Sequence, residues 1–67
     1  MKAVLKIAGM NNSKDVRNVQ SAIAMSDGVI ASEVVLDKKE IIVIYNDFYI
    51  DIENIIDKIE EAGYTVI

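Results

Sequence analysis

Hydrophobic and polar positions change period repeatedly along this chain, and each change marks an element. Ala3, Leu5 and Ile7 alternate with Lys2, Val4, Lys6 and Ala8, the two-residue period of a strand with one buried face. Over 14–25 the period lengthens. Val16, Val19 and Ala22 or Ile23 recur at helical spacing, with Ser13 as an N-cap, until Ser26-Asp27-Gly28 breaks the helix. Residues 30–36 and 40–46 read as two strands joined by Asp37-Lys38-Lys39, and the second contains the strongly β-favouring run Ile41-Ile42-Val43-Ile44-Tyr45. Residues 52–62 return to helix, with Ile52, Ile55, Ile56 and Ile59 at i, i+3, i+4 and i+7. Asp51 is its N-cap, and Glu53 adds charge where the helix dipole favours an acid. Gly63 stops this helix, and Tyr64-Thr65-Val66-Ile67 makes a short last strand.

The order β-α-β-β-α-β, with one apolar stripe per helix, predicts an α+β fold. It is a ferredoxin-like sandwich of one four-stranded antiparallel sheet with both helices on one face. The first and third strands are expected in the centre. No linker or repeat interrupts the pattern, so residues 1–67 form a single domain. Alternation then sorts the strand residues. Ile41, Val43, Tyr45, Val34 and Leu36 point inward, and Val4, Ala8, Ala31, Glu33, Val35, Ile42 and Ile44 point outward. The cluster Val4, Val35, Ile42 and Ile44 reads as a face for a homodimer or another partner. The competing reading is β-branched residues placed on exposed strands for propensity alone.

With 67 residues the core is small, and no cysteine or histidine offers a disulfide or a structural metal to reinforce it. The 52% hydrophobic content must stabilise the fold unaided. No apolar run is long enough for a signal peptide or a membrane span, which makes a cytoplasmic location the expectation. Net charge is −4, unevenly placed. Residues 1–26 set Lys2, Lys6, Lys14 and Arg17 against Asp15, a balance of +3; residues 27–67 set ten acids against three lysines, a balance of −7. An acidic chain with one small basic corner is a poor match for nucleic acid, whose backbone takes a broad basic surface. Glu53, Asp57, Glu60 and Glu61 line an outward helix face as solvating charges. No nucleophile, phosphate loop or acid–base pair accompanies them, so the chain reads as a non-enzyme.

The loop after the first strand reads Ile7-Ala8-Gly9-Met10-Asn11-Asn12-Ser13-Lys14-Asp15-Val16. Gly9-Met10, Val16, Gly28-Val29 and Glu60-Glu61-Ala62-Gly63-Tyr64 together resemble the heavy-metal-associated domain family. That family includes the bacterial copper chaperones and the N-terminal domains of copper-transporting ATPases. The resemblance spans essentially the whole chain and implies a G-M-x-C-x-x-C signature at this loop, binding copper through two cysteines. Here those two positions hold Asn12 and Asp15. Cu(I) is soft and takes thiolates, whereas an amide oxygen and a carboxylate are hard donors.

The resemblance therefore implies a degenerate module of metal handling that takes no copper and no other cofactor. Its expected partner is a protein, such as a metal-transporting ATPase domain. Lys14 and Arg17, at i and i+3 beside the loop, are the charges that would steer such docking. One alternative is a weak, non-thiolate metal site at Met10, Asn12 and Asp15. A second is a regulatory ferredoxin-like domain that senses a small molecule. Each loop residue also has a structural reading: Asn12 or Ser13 as helix cap, Asp15 in the first turn, Met10 filling the apolar layer, and Tyr64 packed beside the loop.

Overall fold

A computed structural model describes the whole chain, Met1–Ile67. The elements are β1 (Lys2–Ala8), α1 (Ser13–Ala24), β2 (Val29–Val35), a 3-10 turn (Leu36–Lys38), β3 (Glu40–Tyr45), α2 (Ile52–Glu61) and β4 (Thr65–Val66). The sheet order is β2-β3-β1-β4, all neighbours antiparallel, so β1 and β3 are central as expected. This is the ferredoxin-like sandwich that the sequence pattern predicts.

Ten apolar side chains form the core: Ile7, Ile41, Val43 and Tyr45 from the sheet, Val19 and Ile23 from α1, Ile55 and Ile59 from α2, with Met10 and Ile50 from loops. Both helices lay their apolar stripes on the same sheet face, and no polar side chain is buried with them. The register Ala3↔Val43 and Leu5↔Ile41 places the inward residues of the two central strands side by side. Their neighbours in sequence therefore share the outer face.

Four local details refine the sequence reading. Helix α1 is capped by Asn12 rather than Ser13, because the Asn12 side chain, on extended backbone, accepts the Asp15 N–H. The β2–β3 connection is a 3-10 turn closed by Lys39 at φ 57, and it takes in Leu36 as well as the Asp37-Lys38-Lys39 expected to join the strands. Strand β2 carries an irregularity at Ile30, between Val29↔Tyr45 and Ala31↔Ile44, which turns Ile30 out to solvent. Helix α2 ends at Glu61 in a Schellman motif: Tyr64 N–H reaches the Ile59 carbonyl at 3.4 Å and Gly63 N–H reaches that of Glu60 at 3.0 Å, with Gly63 at φ +99.

That last turn matters for the site. It delivers Tyr64 beside the β1–α1 loop, where its ring lies against Gly9.

Candidate functional site

Strand β1 delivers the chain to the loop 9–15, and the core anchors it at once. Met10 is 0% exposed and belongs to the ten-residue core cluster. Its sulfur therefore faces apolar side chains rather than the loop surface.

The next residues spend their polar groups on one another. Asn12 Oδ1 accepts the Asp15 N–H at 2.9 Å, and the Asn12 carbonyl takes the Val16 N–H at 3.1 Å. In return, Asp15 Oδ2 accepts the Asn11 N–H at 2.9 Å. This is a capping box with the returning bond shifted one residue outward. The other carboxylate oxygen, Oδ1, accepts the Tyr64 hydroxyl at 2.8 Å, and that hydroxyl accepts from the Asn18 side-chain amide at 3.2 Å. Asn11 extends the network: its side-chain oxygen accepts from Lys39 Nζ at 3.1 Å, and its amide donates to the Gly9 carbonyl at 3.4 Å. Loop, helix α1, the β2–β3 turn and the α2–β4 turn are thereby tied through Asp15 and Asn11.

The electrostatics follow from these bonds. The Asn11 N–H, then the Tyr64 hydroxyl, hold the Asp15 carboxyl below its ordinary value against some desolvation, with smaller help from the Asn12 bond and Lys14. For Tyr64, the Asn18 amide favours the phenolate. The bond to Asp15, desolvation and the Asp15 charge outweigh it and raise the hydroxyl above its ordinary value. The stable pairing is thus an ionised carboxylate with a protonated phenol.

As a ligand set for Cu(I), the loop does not fit. Asn12 and Asp15 offer hard oxygens already engaged in hydrogen bonds, Met10 is enclosed, and the chain has no thiol. No group of three or more His, Cys, Asp or Glu side chains is placed to hold a cation.

No family model matches the chain. Curated relatives do: it is 40% identical over 63 residues to the copper chaperone CopZ of Staphylococcus epidermidis, covering 94% of this chain and 93% of the relative. It is 35% identical over the same span to the copper chaperone CopZ of Staphylococcus haemolyticus. The chain belongs to the CopZ copper-chaperone family. A solved CopZ metallochaperone superposes with a TM-score of 0.96 at 30% identity over the full length of both chains. A copper-binding domain of the P-type ATPase HMA7 shares the fold, with a TM-score of 0.94 at 24% identity over 98% of this chain and 89% of that one. Within this family, the chain is a cysteine-free member.

The other residues singled out by sequence fall on two surfaces. Lys14 and Arg17 are exposed on the first turns of α1, beside the loop but outside its hydrogen-bond network. On the outer sheet face, Val4, Ile42, Ile44 and Ala31 adjoin one another, and Val4 is 53% exposed. The expected cluster is narrower than the sequence suggested. Val35 pairs with Glu40 and is only a diagonal neighbour of Ile42, which faces Glu33, while Lys2 and Lys6 flank Val4 on β1.

Sequence reasoning missed Asn11, Asn18 and Lys39, and read Tyr64 as packing alone. Tyr64 and Asn18 lie 49 and 3 residues from Asp15, and only the α2–β4 turn brings all three together. The signal available was weak: a tyrosine following a helix-stopping glycine, in a chain with a polar residue at each expected ligand position.

Proposed function

We propose that this chain is a non-enzymatic, cytoplasmic interaction module of metal handling, a degenerate family member that docks on a protein partner without carrying Cu(I). The observation that carries the reading is the state of Asp15. Both carboxylate oxygens are occupied by the Asn11 N–H and the Tyr64 hydroxyl, so the loop is held in shape by the protein's own hydrogen bonds. A Cu(I) site rests on free, soft donors; this loop has neither.

The partner is a folded domain of a metal-transporting ATPase, met at the loop end. A preformed loop loses little entropy on docking, which favours a partner that reads its shape. Lys14 and Arg17 flank it with positive charge in an otherwise acidic chain, and such charges act chiefly on the association rate. Binding to an acidic metal-binding domain of a copper ATPase should therefore fall with added salt. It should be lost in Lys14→Glu/Arg17→Glu while the fold, checked by circular dichroism, is kept. Binding insensitive to both would contradict the proposed docking.

A further inference from the structure

The end of the molecule opposite the loop carries a second surface. Strands β1 and β2 begin there, β3 finishes there, and α2 begins there. Of the seven large hydrophobic side chains that stand exposed, five lie at this end: Met1, Met25 at the C-cap of α1, Ile30, Phe48 (93% exposed) and Tyr49 (74%).

The segment that presents the two aromatics is built, not slack. Asn46 N–H donates to the Gly28 carbonyl at 2.7 Å, Tyr49 and Ile50 N–H both return to the Asn46 carbonyl, and the Asn46 side chain accepts the Phe48 N–H at 3.0 Å. Ile50 is buried in the core beneath. Gly28 is required at this junction: a Cβ there would stand 2.8 Å from Ile50 Cγ2 and 2.9 Å from Tyr49 Cβ. The turn thus seats its backbone and Ile50 firmly while leaving Phe48 and Tyr49 in solvent. With the backbone already ordered, only the few side-chain torsions of each ring remain to be fixed on binding, and aromatic residues are the usual anchors of protein interfaces.

Charge narrows the occupant. Asp27, Asp47, Asp51 and Glu53 surround this end, and the Asp51 side chain is also the N-cap of α2. Against these four acids stand Lys2, on the outer sheet face opposite Ile44, and the Met1 ammonium, which donates to the Tyr45 carbonyl at 2.8 Å, so the acids are in excess. An anionic lipid surface would be repelled here. A basic segment with apolar anchors would be attracted, its Arg or Lys side chains meeting both the acids and the aromatic faces.

We propose that the Ile30–Phe48–Tyr49 end is a docking site for a basic, apolar segment of a partner protein, separate from the loop end and able to be filled at the same time. This assignment stands on different residues from the loop-end reading and does not depend on it. It is tested with the intact chain and two synthetic peptides. One alternates Phe, Leu and Arg; the other has Glu in place of Arg.

Amide shifts are followed by NMR. The basic peptide should move Gly28, Ile30 and Asn46–Ile50, the acidic one should not, and salt should weaken the effect. Phe48→Ser/Tyr49→Ser should lower affinity by about tenfold or more without disturbing amides elsewhere. Asp27→Asn/Asp47→Asn, which keeps the aromatics, should weaken binding and flatten its salt dependence. Equal shifts with both peptides, no shift with either, or shifts confined to the loop end would overturn the proposal. So would self-association in sedimentation that Phe48→Ser/Tyr49→Ser abolishes, because the occupant would then be a second copy.

Discussion

Asp15 occupies one of the two positions where the family resemblance places a cysteine, and it does different work there. Its carboxylate joins the Asn11 backbone to Tyr64, tying together parts of the chain 49 residues apart. The pH consequence has a definite sign. A carboxyl held below its ordinary value in the folded state contributes stability that is fully present above the ordinary carboxylate value. That contribution is lost as pH falls through the depressed native value. Tyr64→Phe removes one of the two bonds, so the Asp15 midpoint should move up toward the ordinary value, read by carboxyl carbon NMR across an acid titration. An unmoved midpoint would mean the hydroxyl does not hold the carboxylate. The capping half of this arrangement was legible, since Asn12 and Asp15 sit at cap spacing in the sequence. The Tyr64 half was not, because no local pattern reports a bond across that separation.

At the scale of elements, periodicity carried most of the information, and tertiary packing supplied the rest. The isoleucines at i, i+3, i+4 and i+7 of α2 mark the helix and its buried face correctly, since Ile55 and Ile59 are fully enclosed. Met10 shows how a loop residue can belong to the core: it is enclosed although it stands in the segment read as a ligand loop. Met10→Ala should cost about 2–5 kcal/mol in urea unfolding, as for other large-to-small core changes. A loss under about 1 kcal/mol would show a loop that collapses onto the gap. What periodicity could not give was the irregularity at Ile30 or the left-handed Lys39. Lys39 closes the turn that joins β2 to β3, and the irregularity at Ile30 lies two residues from Gly28, which packs closely on Ile50 and Tyr49.

At the scale of the whole molecule, the outer sheet face and the loop end compete as explanations for association. The register leaves Val4, Ile42, Ile44 and Ala31 as one patch edged by Lys2, Lys6, Glu33 and Glu40, so self-pairing there would bring charges together at its rim and respond to salt. Sedimentation over a wide concentration range should show a dimer only at the highest concentrations, lost in Ile42→Thr/Ile44→Thr. A strict monomer at every concentration, with the variant indistinguishable, would remove this face as a homodimer surface.

The fold itself was readable because three strands and two helices each announce one buried face, and Gly63 marks where the short last strand follows. The loss of thiolates was readable from two letters. How the loop holds itself together was not, since that took Tyr64 and Lys39 arriving from two other parts of the chain, with Asn18 one turn along α1.

The most direct test is an anaerobic Cu(I) competition titration against a coloured chelator, run on the native chain and on Asn12→Cys/Asp15→Cys. The double variant should withdraw Cu(I) from the chelator and the native chain should leave it untouched. Competition by the native chain would contradict the account, because its hard, hydrogen-bonded oxygens could not then be the whole of what the loop offers a metal.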